Sequence, residues 1–176
     1  KIQEIQYKYQ DKYAIVLNSI FRYDKIIALY PYFFQEVTSM QKRKFENLGA
    51  EASLLGFGCM RFPMADGKID EAESERMLDR AMKAGVNYYD TAYPYHDGES
   101  EPFVGKALKK YDRESFYLAT KLPIWKLDSL EDVERIFNDQ LERLGVDYVD
   151  FYLLHAVDME KWKTILELGI LDYCDN

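Results

Sequence analysis

Beyond residue 40 the apolar positions keep two alternating rhythms. Short, nearly continuous runs occur at residues 86–90 ("VNYYD"), in "SFYLAT" and in "YVDFYLLH", and they read as buried strands. Between them lie longer segments with helical spacing. "IDEAESERMLDRAMKAG" carries apolar residues at Ile69, Leu78, Ala81 and Met82, with Asp70 and Glu73 as a capping box and Gly85 as the stop, which predicts one helix. "SEPFVGKALKKY" places Phe103, Val104, Ala107, Leu108 and Tyr111 on one helical face. "DSLEDVERIFNDQLERLG" aligns Leu130, Val133, Ile136, Phe137, Leu141 and Leu144 and closes at Gly145. Ahead of all these, "KRKFENLGAEASLLGFG" reads as a hairpin turning at Asn47-Leu48-Gly49, followed by a strand that ends in Gly56-Phe57-Gly58.

Strand and helix therefore repeat about every 30 residues, the length of a βαβ unit with a right-handed crossover. A parallel sheet covered by helices is implied. The repeat suits both an open doubly wound sheet and a closed barrel, so the turns must separate them. A dinucleotide fingerprint would place G-x-G-x-x-G at the first strand-helix turn, but "GFGCMR" supplies only the first two glycines and no helix follows directly.

Residues 1–39 are different in kind. They contain none of the nine glycines and only one proline, and they are rich in Tyr and Phe. Their most apolar stretch, "YAIVLNSIFRYDKIIALYPYFF", is interrupted by Asn18, Arg22, Asp24 and Lys25, short of the roughly 18 uninterrupted apolar residues of a membrane span. There is also no basic segment leading to a small-residue cleavage site. The chain is therefore expected to comprise an extension of unknown role, residues 1–39, and a domain, residues 40–176. Across all 176 residues the net charge is -8, and the pI is near 4.9. That balance excludes general affinity for nucleic acid, which depends on clustered Lys and Arg. Two distant cysteines, Cys59 and Cys174, give neither a disulfide framework nor a metal knuckle, and fit a reducing cytoplasm.

Chemistry gathers at the ends of the expected strands. Asp90 ends the second and Tyr95 lies just beyond it; Lys121 closes the third and His155 the fourth. In a barrel these four groups converge on the carboxyl-terminal mouth, where the active sites of such folds lie. Singly, each has an ordinary explanation: an aspartate capping a turn, a tyrosine among fifteen, a rim lysine, a histidine satisfied in a core. Together they suit one reaction. Phenols ionise only near pH ~10, and an adjacent ammonium stabilises the phenolate. Lys121 would serve Tyr95 in this way, Asp90 would hold Lys121 by a charge-assisted hydrogen bond, and His155 would orient a carbonyl oxygen as negative charge develops on it. That is carbonyl reduction with an external hydride donor. A phosphate cradle at "HDGES" is disfavoured by Asp97, Glu99 and Glu101.

"LGFGCMRFP", "NYYDTAYPYHDGESEPFVGKAL", "LATKLP" and "RLGVDYVDFYLLH" resemble the N-terminal half of the aldo-keto reductases, in particular the bacterial branch whose longer members carry a ferredoxin-like C-terminal region. The resemblance implies a (β/α)8 barrel with NADPH at its mouth. It makes Asp90, Tyr95, Lys121 and His155 the catalytic set, with Tyr95 the general acid. It brings Asp90 and the backbone of Gly58, Cys59 and Met60 near the nicotinamide ribose, and Trp125 and His155 against a small carbonyl substrate. About four β/α units are present where a barrel of this kind has eight in roughly 250 residues. The expectation is a partial barrel, a fragment whose unpaired sheet edges invite self-association. No metal site and no iron-sulphur cluster are expected in it. The alternative is a non-catalytic interaction module on a reductase scaffold.

Overall fold

The structure is a computed structural model and describes residues 40–174. The reading of residues 1–39 as an extension without a membrane span lies outside the described residues. Among the described residues no helix is long and apolar enough to cross a membrane.

The described residues open with the expected hairpin, β1 (Lys42–Phe45) and β2 (Ala50–Ser53), antiparallel with Lys42 opposite Ser53 and Phe45 opposite Ala50. Gly49 takes the left-handed backbone that its turn requires (φ 65°). β3 (Phe57–Gly58) follows, and then a second hairpin, β4 (Met64–Ala65) with β5 (Lys68–Ile69). This second hairpin corrects the assignment of Ile69 to a helix. Asp66 (φ 51°) and Gly67 (φ 78°) form a two-residue turn with both φ positive, the strongest short hairpin signal, and Ile69 is buried in β5.

α1 (Glu71–Lys83) starts where the cap predicts, with the Asp70 side chain accepting from Glu73 N at 3.1 Å. The capping box is half made, because the Glu73 carboxylate pairs with Arg76 instead of returning to Asp70. The remaining elements are β6 (Tyr88–Asp90), α2 (Ser100–Leu108), β7 (Tyr117–Leu122), α3 (Glu131–Leu144), β8 (Phe151–Leu154), α4 (Met159–Glu167) and α5 (Ile170–Cys174). The segment after β8 is helical. Gly169, at φ 68°, divides it into two.

β3, β6, β7 and β8 form one parallel sheet in that order, with Gly58 opposite Asp90, Asp90 opposite Ala119 and Lys121 opposite Leu153. Side chains alternate across it with period two. Leu118, Thr120 and Leu122 of β7 are buried towards the helices, whereas Tyr117 and Lys121 stand on the other face with Asp90. Two cores fill the helical side. One joins Leu78 of α1, Tyr89 of β6, Phe103, Val104 and Leu108 of α2, Leu118 of β7 and Leu144 of α3. The other joins Leu122, Ile124, Val133, Ile136, Ile165 and Ile170. Burying a side chain of this size contributes about 1.5–3 kcal/mol. α2 and α3 meet at Gly105, where a Cβ would stand 2.0 Å from the Leu144 carbonyl oxygen, so any side chain there would drive the helices apart.

The β1–β2 hairpin is fastened to the amino-terminal ends of the parallel strands. Ser53 N donates to Asn87 Oδ1 (2.6 Å) and Asn87 N to Ser53 Oγ (3.0 Å); Glu51 N donates to the Tyr117 hydroxyl (2.8 Å). Phe45 packs on Phe151 with ring centroids 5.7 Å apart. The carboxyl-terminal ends of the strands stay clear of the hairpin, and the polar side chains are there.

Candidate active site

The parallel register brings three of the four groups read from the sequence into direct contact. Lys121 lies on β7 beside Asp90, the last residue of β6, and its ammonium donates to Asp90 Oδ1 at 2.6 Å and to the Thr91 carbonyl at 2.7 Å. The same Nζ is 3.3 Å from the Tyr95 hydroxyl and 4.8 Å from the centre of its ring. With a side chain only 13% exposed, Lys121 is a nearly buried cation paired with one carboxylate and aimed at one phenol.

His155 completes the group from the end of β8, where its N–H bonds the Leu122 carbonyl at 3.0 Å. Its ring meets Tyr95 edge to face, with centroids 5.7 Å apart and planes at 86°. Trp125, in a short 3-10 turn after β7, also packs against the His155 ring, with centroids 5.1 Å apart. It is 45% exposed, as a wall open to a ligand would be. The His155 Nδ1 is buried and makes no hydrogen bond. Burial, and after it the Lys121 ammonium, hold the imidazole below its ordinary value of 6.5, with Asp90 opposing.

A folded-state value below the unfolded one means that the unfolded chain binds the proton first, so stability is lost as the pH falls below 6.5. Urea unfolding of wild type and His155→Asn should therefore show a midpoint that declines less steeply below pH 6.5 in the variant. Equal slopes would mean that His155 is not held neutral by its surroundings.

Of the four residues proposed to approach a cofactor, Asp90 is paired with Lys121, Gly58 has open space where a Cβ would be, and Met60 is exposed. Cys59 points inward. Its side chain is wholly buried, burial pushes its thiol far up, its N–H donates to Asp90 O (2.8 Å) and its carbonyl accepts from Ser100 Oγ (3.1 Å). Both of its backbone groups are thus engaged within the protein. Among the described residues no group of three or more His, Cys, Asp or Glu is placed to hold a metal ion.

The model of the aldo/keto reductase family matches residues 54–174. The chain belongs to the aldo/keto reductase family. It is 36% identical over 129 residues to an aldo-keto reductase of Bacillus subtilis, covering 68% of this chain and 39% of that protein. It superposes on the holo form of an aldo-keto reductase from Bacillus halodurans with a TM-score of 0.59 at 33% identity, over 75% of this chain and 47% of the other. It likewise superposes on an aldo-keto reductase from Klebsiella pneumoniae in complex with NADPH, with a TM-score of 0.57 at 25% identity, over 75% and 46%. The chain thus spans somewhat under half the length of these aldo-keto reductases.

Sequence reasoning misjudged one residue beside these groups. Glu101, read as an acidic repellent in the turn, is the first turn of α2 and wholly buried, with Oε1 accepting from Thr120 Oγ1 and Gln140 Nε2, each at 2.6 Å. Its Oε2 lies 3.0 Å from Arg143 Nε. Gln140 was equally hidden, as a polar residue within an apolar stripe. The signal that could have found both is the pairing of one acidic and one amide side chain on the buried faces of adjacent helices, each needing a partner there.

Proposed function

We propose that this chain carries the proton-handling groups of a nicotinamide-dependent carbonyl reductase. The observation that supports this reading best is the Lys121 ammonium placed between the Asp90 carboxylate (2.6 Å) and the Tyr95 hydroxyl (3.3 Å), with His155 edge-on to the same tyrosine. The proposed ligand of the mouth is NADPH, which its Klebsiella relative binds. The residues fit such a group: space over Gly58 is open, Met60 is exposed and His155 Nδ1 is buried without a partner. Gly58, Met60 and Asp90 would hold it, with Cys59 contributing only through its placement of Asp90. When bound, NADPH supplies the hydride.

The chain's own residues do the rest. The Tyr95 hydroxyl donates a hydrogen bond, and then its proton, to the carbonyl oxygen on which negative charge develops. Lys121 stabilises the phenolate left behind, and Asp90 holds the ammonium directed at it. The neutral His155 ring offers a hydrogen bond to the same oxygen, fixing the carbonyl between itself and Tyr95. Trp125 forms an apolar wall for the substituent of a small aldehyde or ketone. The completeness of the four groups argues against the non-catalytic scaffold reading. The test is reduced-cofactor consumption by the full-length protein on adding a simple aldehyde, with the alcohol identified by chromatography. Stoichiometric alcohol is expected. A protein that binds NADPH and turns over no aldehyde or ketone in a broad panel would overturn the reading.

A further inference from the structure

The turn that carries Tyr95 is held in an unfavourable shape. The 3-10 segment Tyr95–Gly98 contains His96 at φ 53°, ψ 48° and Asp97 at φ 54°, ψ 30°, two adjacent left-handed residues that are not glycine. Such a conformation persists only where its surroundings enforce it. One guanidinium grips both flanks: Arg143 Nη2 donates to the Gly98 carbonyl and lies 3.5 Å from the Tyr93 carbonyl, and the group sits 4.6 Å over the Tyr93 ring. Gly98 leaves room for it, since a Cβ there would stand 3.2 Å from that same nitrogen. On the turn's other side the Phe62 N–H donates to His96 Nε2 at 3.1 Å.

Arg143 is in turn held by Glu101, which is fully buried and meets only donors. The Arg143 Nε to Glu101 Oε2 approach of 3.0 Å is an ion pair without good hydrogen-bond alignment, so charge rather than direction carries it. From the same carboxylate a second arm runs to the lysine strand. Gln140 Nε2 donates to Glu101 Oε1 and contacts the Lys121 carbonyl at 3.2 Å, while Thr120 Oγ1 also donates to Glu101 and Tyr152 donates to Gln140 Oε1 at 2.8 Å. Burial pushes the Glu101 carboxyl up, and Thr120, Gln140 and Arg143 oppose that rise.

We infer that Glu101 is a positioning residue of the reaction: from the helical side of the sheet it fixes the Tyr95 turn through Arg143 and the Lys121 backbone through Gln140, and so sets the distance between phenol and ammonium. This rests on the reductase reading above. Its consequence is that Glu101 acts on turnover only by way of Tyr95 and Lys121, although it touches neither side chain.

The experiment is a double-mutant cycle in the full-length protein. Glu101→Gln keeps the size and an oxygen acceptor but removes the charge that holds Arg143. It should lower kcat ~10–100-fold, as displacement of a reacting group by about 1 Å does, with NADPH affinity little changed. In a Tyr95→Phe background the same change should leave the residual turnover where it was, because a group that acts through Tyr95 has nothing further to misplace. Additive losses would overturn the proposal, since a general structural role would lower both backgrounds equally. Should Glu101→Gln fail to fold, Arg143→Lys keeps the cation and loses the fork on Gly98 and Tyr93; full turnover in that variant would also overturn the proposal. The two readings separate cleanly: wild-type protein that binds NADPH and turns over no carbonyl defeats the reductase reading, whereas wild-type turnover that falls in Tyr95→Phe and is unaffected in Glu101→Gln defeats only the positioning role.

Discussion

Tyr95→Phe in the full-length protein should lower carbonyl reduction ~10²–10⁴-fold, the usual contribution of a positioned general acid, while NADPH still binds. The hydroxyl lies 3.3 Å from Lys121 Nζ, on a ring that stands perpendicular to that of His155. Phe preserves the ring, and with it the edge-to-face contact to His155 and the place over the ammonium, so the loss isolates the proton. Steady-state kinetics with an aldehyde, beside a fluorescence titration with NADPH, measures the two quantities separately. A variant with near wild-type kcat would show that the proton comes from elsewhere, His155 being the neighbour to examine next.

Lys121→Ala should cost ~10²–10³-fold in kcat, comparable with removing a preorganised donor from a developing charge. The substitution deletes a cation and leaves the Asp90 side chain, 27% exposed, without its partner. It also leaves a gap the size of an alkylammonium beside Tyr95. Methylammonium in the assay should therefore restore part of the turnover, and a neutral molecule of similar size should not. If circular dichroism shows an intact fold and no amine restores activity, Lys121 matters as the anchor of Asp90 and of the Thr91 carbonyl, not as a charge beside the phenol.

The four mouth residues were legible because each stands at, or just beyond, the end of a strand whose apolar run is unmistakable, and parallel pairing then makes neighbours of residues about 30 positions apart. Asp90 reaches Lys121 for that reason alone. The β4–β5 hairpin was overlooked, although Asp66-Gly67 announces it, because two-residue strands offer no periodicity. His96 and Asp97 in left-handed backbone were not legible at all. Nothing in "YHDG" requires that shape, and it exists through long-range contacts from Phe62 and Arg143. Glu101 and Gln140 break the binary pattern of their helices, and a pattern can flag such a residue without telling what satisfies it.

The hairpin formed by β1 and β2 has an evolutionary consequence. It rests on Asn87, Tyr117 and Phe151, where their strands begin, whereas Asp90, Lys121 and His155 lie where the strands finish. On β7, Tyr117 and Lys121 are separated by four residues, roughly 13 Å of extended backbone. Changes with no shared partner at that separation add without interacting. Substitutions near the hairpin can therefore accumulate as changes in robustness, while the loops around Tyr95 and Trp125 change independently of them. A lineage built on this sheet can alter its candidate site and how well it endures heat in separate steps, in either order.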